Sequence, residues 1–311
     1  MHVFVMLPAV ASTATVSTNQ RRAKMKRVFL GTTVLVMSAG IAAAEVSLSG
    51  DARMGVVSKA ADHDGDIAFT SRVRAAISVS GETDGGLSFG GSFGVHDAGG
   101  AKDGQNGSVF VSGPFGKFSM GDVNSAAKTA VGNASGVGLI GLDDLNEIKY
   151  IGKAHKPSAL WNYDMGALSL YASSDNPGPS EDTVVSGALF YRIGDVNAGA
   201  GIERGGDMQV VSASVSATLG DASVTLVYGS YDDGMESTEN VNSYSASASF
   251  NTGMATFSAF SSGNSKGVEG EDHFGIGASF DLGGGATIKG GYVDGDSLSD
   301  GSFDLGISMS F

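Results

Sequence analysis

From residue 45 onward, apolar and polar side chains take turns along the chain. Val46, Leu48, Ala52, Met54 and Val56 share one face of a first extended segment, with Ser47, Ser49, Asp51 and Arg53 on the other. In the next, Ile67, Phe69, Val73, Ala75, Ile77 and Val79 oppose Thr70, Arg72, Arg74, Ser78 and Ser80. The last is the cleanest: Phe303, Leu305, Ile307, Met309 and Phe311 alternate with Asp304, Gly306, Ser308 and Ser310. A period of two sends successive side chains to opposite sides of a strand, so each segment has one dry face and one wet face. Sixteen such segments can be read between 45 and 311. Most approach the roughly 9–11 residues of a tilted membrane strand, although 107–113, 116–122 and 158–164 are short. No run of about 18 apolar residues follows residue 45, which excludes helical membrane spans.

The connections alternate as well. Tight, turn-like links at 81–85, 114–115, 165, 194, 220, 252 and 283–284 are interleaved with longer polar ones at 58–66, 98–106, 123–157, 175–182, 232–240, 263–270 and 294–301. Only 205–206 is short where a long link is due. Short turns on one rim and long loops on the other are the mark of an outer-membrane barrel. The expected fold is therefore all-β, a 16-stranded antiparallel transmembrane β-barrel with short periplasmic turns. A closed barrel pairs every backbone N–H and C=O in lipid and leaves no sheet edge. Its lumen face can be small and polar, which accounts for 48 Gly in 311 residues with only 5 Pro. Trp161 and Tyr163 fall at a short-turn end, where an aromatic girdle belongs. A soluble β-sandwich, a β-helix or a misread eight-stranded barrel would not give sixteen segments with rim-alternating loops.

The N-terminus indicates the compartment. Arg21, Arg22, Lys24, Lys26 and Arg27 precede an apolar run from about Val28 to Ile41 that ends in Ala42-Ala43-Ala44. This is the pattern of a cleavable signal peptide, so 1–44 is expected to be a leader, with Met25 as the candidate true start, and 45–311 a single domain. The mature chain then carries 14 basic and 33 acidic residues, a net charge of −19. Such a balance excludes nucleic acid as a partner, and the absence of cysteine excludes disulfides and thiol chemistry.

Several stretches also resemble the Rhodobacter-type general porins: Ser49 to Val56 (SGDARMGV), Ser71 to Arg74 (SRVR), Val109 to Lys117 (VFVSGPFGK) with Met120-Gly121-Asp122, and Phe280 to Ala286 (FDLGGGA). The resemblance runs in order from Glu45 to Phe311. It implies a homotrimer and a third long loop, 123–157, folded into the pore as its constriction. The shorter mature chain implies trimmed outer loops. That loop carries Asp143, Asp144 and Glu147, with Lys149 and Lys153 behind them. Arg53, Arg72 and Arg74 lie on the wet parity of the first two segments. Acid on a loop facing guanidinium on the wall would set a transverse field across the narrowest section, favouring small polar solutes and ions. The alternative is that these arginines simply pair with nearby carboxylates. Lys117, Arg192 and Lys289 share the parity and are weaker pore-lining candidates.

Other motifs carry less. Gly136 to Gly141 fits G-x-G-x-x-G, but no βαβ unit surrounds it, so a loop backbone is expected instead of a cofactor cradle. Asp62 to Asp66 begins like a calcium loop but has Ile67 at position 6 and Val73 at position 12. No cofactor is expected, with adventitious calcium on the acidic loops as the alternative. His96 and His273 are candidates for an outer-membrane hydrolase barrel, a reading set beside an adhesin or receptor barrel; the channel is preferred to both. Phe311, closing an alternating strand, is expected to be the signal read by the outer-membrane assembly machinery.

Overall fold

The computed structural model describes residues 33–34, 45–58, 67–96, 107–152, 158–175, 182–235, 239–265, 272–298 and 300–311, with only the backbone at Thr33, Val34, His96 and Asp143. The expected leader apart from Thr33–Val34, the Asp62–Asp66 motif and Lys153 lie outside the described residues. Sixteen strands follow one another: β1 Glu45–Ser58, β2 Ile67–Glu82, β3 Ser88–His96, β4 Ser108–Gly113, β5 Gly116–Gly121, β6 Ser158–Met165, β7 Leu168–Ser174 and β8 Val185–Ile193. The second half comprises β9 Val196–Gly205, β10 Met208–Leu219, β11 Ala222–Asp232, β12 Val241–Asn251, β13 Ala255–Asn264, β14 His273–Gly283, β15 Ala286–Gly295 and β16 Ser302–Ser310. Each pairs antiparallel with its sequence neighbour, and β16 returns to β1, where Leu305 stands opposite Val56 and Ile307 opposite Met54. The barrel is closed. Thr33–Val34 adds a two-residue bridge against Leu48 and Ser47.

Alternation fixes the register, because a one-residue slip would turn every apolar side chain from one face to the other. The outward face carries large apolar side chains that nothing in the protein covers: Phe69 is 94% exposed, Leu48 57% and Leu305 53%. No soluble protein leaves such a belt in water; lipid is its solvent. Strand ends sit within two residues of the sequence expectation. The first tight turn falls at Thr83–Leu87, closed by the Thr83 N–H to the Leu87 carbonyl and by Thr83 Oγ1 accepting from the Leu87 N–H at 3.0 Å. Trp161 and Tyr163 stack with ring centroids 6.0 Å apart at the short-turn end of β6, and the indole N–H donates to the Phe115 carbonyl at 2.9 Å.

The lumen face departs from the small, polar surface that composition suggested. Val57, Val210, Val227, Phe260 and Val293 share the parity of Asp304 and Glu203, and all five are buried. They are covered by residues of the link between β5 and β6, in three separate apolar clusters. A segment that crosses an aqueous lumen has to rest on something dry, and these side chains form its seats.

Candidate functional site in the barrel lumen

The β5–β6 link begins with one short helix, α1 (Ala126–Val131). Ser125 caps it by accepting the Lys128 N–H at 3.1 Å, and Gly132, at φ 67°, ends it by donating to the Lys128 carbonyl at 3.0 Å. Two further N–H groups of the first turn reach the wall: Ala126 donates to Ser173 Oγ on β7 at 2.8 Å and Ala127 to Ser186 Oγ on β8 at 2.9 Å. The helix fits because the wall beneath it has no side chains at the critical places. A Cβ on Gly201 would stand 2.7 Å from Ala127 Cβ, and one on Gly199 would meet the Ala130 carbonyl.

Beyond α1, the chain runs along the inner wall. Ser135 N–H donates to Ser247 Oγ on β12 at 2.9 Å. Gly138, at φ 86°, passes so close to β16 that a Cβ would stand 2.5 Å from Asp304 Oδ1. There the N–H groups of Leu139 and Ile140 both donate to Asp304 Oδ2, each at 2.7 Å. The 3-10 turn Leu142–Asp144 then reverses the chain, with Leu142 at φ 46° and 1% exposed. A left-handed leucine costs of order 1–3 kcal/mol, and burial against Val57, Val137, Phe260 and Val293 offsets that. On the way back Ser262 on β13 donates to the Leu145 carbonyl, Tyr150 donates to the Gly132 carbonyl, and Ile151 and Gly152 donate to Glu203 Oε2 on β9 at 2.7 and 3.2 Å.

Glu203 and Asp304 therefore do the same job at two points of the segment, Asp304 midway along it and Glu203 near its C-terminal end. Each is almost fully buried, at 0% and 2% exposure, and each turns one oxygen to two consecutive backbone N–H groups. Paired N–H groups of this kind form an anion-binding concavity, here filled by the protein's own carboxylate. Burial and the charge of Glu203 hold the Tyr150 hydroxyl well above its ordinary pKa, so it remains a donor. Sequence reading missed both carboxylates. Parity put Asp304 on the wet face and Glu203 was not singled out, and nothing local reveals partners that are 165 and 52 residues away. The glycines of the G-x-G-x-x-G match are close-approach positions: Gly136 lies against Asn146, Gly138 against Asp304, and Gly141 adopts φ 94°.

The arginines stand on the adjoining wall. Arg53 on β1 is directly opposite Arg72 on β2, and Arg74 is opposite Asp51. Arg74 Nε donates to both Asp51 oxygens, at 3.0 and 2.9 Å, and Arg72 Nη2 lies 3.6 Å from Asp51 Oδ1. The pairing alternative thus holds for Arg74 and in part for Arg72; Asp51 is the partner the sequence reading did not single out. On the loop, Asp144 and Glu147 are exposed. Lys128 Nζ lies 3.8 Å from Glu147 Oε2, and Lys149 Nζ lies 3.5 Å from the centroid of the Tyr231 ring on β11. Toward the short-turn rim, Lys117 Nζ lies 4.3 Å over the Phe110 ring, Arg192 lies 4.8 Å over the Phe190 ring, and Lys289 is half-buried opposite Gly306. His273 meets Ser297. Among the described residues, no three His, Asp or Glu side chains gather as metal ligands.

A sequence profile of the Gram-negative porins matches residues 31–299. The porin of Rhodobacter capsulatus is 33% identical over 305 residues, covering 86% of this chain and all of the relative. The chain belongs to the Gram-negative porin family. A porin structure refined at 1.8 Å resolution superposes with a TM-score of 0.74 at 31% identity, again over 86% of this chain and 100% of the other. A multiply substituted Rh. blastica porin, 19% identical, shares the fold with a TM-score of 0.72 over the same shares. The protein is accordingly an outer-membrane channel, a porin whose aqueous path is the lumen just described.

Proposed function

We propose that this porin is a weakly selective diffusion channel for small hydrophilic solutes and ions, narrowed where 123–157 faces Arg53, Arg72 and Arg74. The observation that supports this most is the seating of 122–152 on the inner wall, from Ser173 on β7 round to Asp304 on β16, next to the arginine-bearing strands. Asp143, Asp144 and Glu147 supply the acid, with Glu147 shared with Lys128. Asp51 neutralises part of the basic side, so the two sides come close to balance and the surplus acid of the outer loops tilts the channel to cations. Loop charges are screened within a Debye length of about 8 Å at physiological salt, those in a narrow gap less so. Lys117, Arg192 and Lys289 tune the vestibule on the short-turn side. The channel works without a cofactor; calcium on its acidic loops is adventitious, so chelation leaves conductance unchanged.

Reversal potentials across a salt gradient test the constriction. Replacing Arg72 and Arg74 with Gln strengthens cation preference and raises conductance, while D143N with D144N moves the potential toward anions. If neither pair moves it, these residues do not line the narrow section. We also propose a homotrimer, packed through the flat outer faces of β1 (Val46, Leu48, Ala52, Met54) and β16 (Leu305, Ile307, Met309). Flat faces gain more dispersion contact from a copy of themselves than from mobile lipid tails. Mass measurement in mild detergent should give three chains; a monomer alone rejects the assembly.

A further inference from the structure

Two guanidinium groups directly opposite each other on one face of a sheet repel, and a wall built this way ordinarily places a carboxylate between them. Around Arg53 and Arg72 that carboxylate is already engaged. Asp51 gives both oxygens to Arg74 and lies only at 3.6 Å from Arg72. Among the described residues, no carboxylate oxygen lies within 4.0 Å of the Arg53 guanidinium. The Nε atoms of both Arg53 and Arg72 are buried and without a hydrogen-bond partner in the protein. Asp304, the acid on the neighbouring strand, turns Oδ2 to the Leu139 and Ile140 N–H groups, and its Oδ1, without a hydrogen-bond partner, makes no ion pair with Arg53, leaving three arginines against two carboxylates. The pair is thus under-neutralised and under-bonded, with Ser308 standing beside Arg53 in register.

We propose that Arg53 and Arg72, with Ser308, form a dwell site for a doubly charged tetrahedral oxyanion of the phosphate or sulfate type. A guanidinium fork matches two oxygens of one such ion, and two forks side by side use its tetrahedral shape and both its charges. Chloride offers neither. The site rests on the reading that these arginines line the solute path, and it refines it by naming a solute class. Binding in a wet lumen is weak, with Kd about 1 mM, which is about 4 kcal/mol. Weak binding suits a channel, where a bound ion has to leave again.

The test uses the full-length, detergent-solubilised protein, with inorganic phosphate and sulfate as probes. In about 0.1 M potassium chloride, where the Debye length is still about 10 Å, millimolar phosphate or sulfate should lower single-channel chloride conductance, and nitrate should not. The 31P line of phosphate should broaden on the same protein without any bilayer. R53Q and R72Q should each raise the phosphate concentration needed by about tenfold, or about 1.4 kcal/mol. R53K with R72K keeps the charge but not the forks, and should lose most of the effect. D51N, by releasing Arg74, should strengthen it. Barrel integrity of each variant is read from heat-modifiable migration. No phosphate effect in either measurement, or R53Q and R72Q behaving as the parent, overturns the site. Normal conductance with movable reversal potentials but no phosphate effect rejects the site and leaves the constriction standing. Arginine-dependent line broadening without any effect on conductance keeps the site and removes it from the solute path.

Discussion

Glu203 and Asp304 illustrate how much of this lumen rests on single side chains. A buried carboxylate is costly unless it is hydrogen-bonded, and here two N–H donors on one oxygen meet that cost. The reverse also holds: removing the carboxylate leaves two buried N–H groups with no acceptor, at about 1–3 kcal/mol each. Asp304→Ala should therefore release the middle of 122–152, and Glu203→Ala its C-terminal end, while the strands stay paired. The expected signature is noisier, larger single-channel steps with unchanged heat-modifiable migration. Asn or Gln at the same positions retains an acceptor oxygen and should restore part of the quiet state. Alanine variants with parental conductance and noise would show that the apolar seats alone hold the segment.

At the scale of elements, the strands were legible in the sequence and the inward segment was much less so. Each strand announces itself through its own alternation, a local signal repeated sixteen times, and closure follows from the even count and the need to pair every backbone group. The seat of α1 has no such signal. It depends on Gly199 and Gly201 of β9 meeting Ala130 and Ala127, and on serines of β7 and β8 accepting the first helical N–H groups. Read locally, those glycines and serines are ordinary small lumen residues. Val57, Val210, Val227, Phe260 and Val293 likewise break the small-and-polar rule for reasons written in a different part of the chain. Arg53, Arg72 and Arg74 were found by parity, but Asp51 as the partner of Arg72 and Arg74 required the register. Gly201→Val tests the seat directly. Its side chain would have to occupy the space of Ala127, so α1 should lift and 122–152 should become a protease target in the folded barrel. Unchanged protease resistance would mean that the helix tolerates displacement and that the carboxylate anchors dominate.

For the whole molecule, closure depends on a seam between the two ends of the chain. β16 and β1 share a register from Asp304 opposite Val57 to Ser310 opposite Asp51, and Phe311 extends it by donating its N–H to the Gly50 carbonyl at 3.0 Å and accepting the Gly50 N–H at 2.7 Å. The Phe311 ring lies over Gly50, where any Cβ would collide with it. The terminal residue is thus the end of the seam, and we propose a second, separable role for it as the signal read by the assembly machinery. Deleting it removes two closing hydrogen bonds, about 0.5–1.5 kcal/mol each and more where water is excluded, along with the proposed signal. We expect the deletion to lower the amount of assembled barrel in the outer membrane while export across the inner membrane continues. Gly50→Val separates the roles, because it displaces the ring yet leaves the terminal sequence intact. If the seam matters, both variants should assemble poorly and the barrel that does form should unfold at lower temperature. If only the signal matters, Gly50→Val should assemble in parental amounts. Parental assembly of the Phe311 deletion itself would remove the terminal residue from both roles.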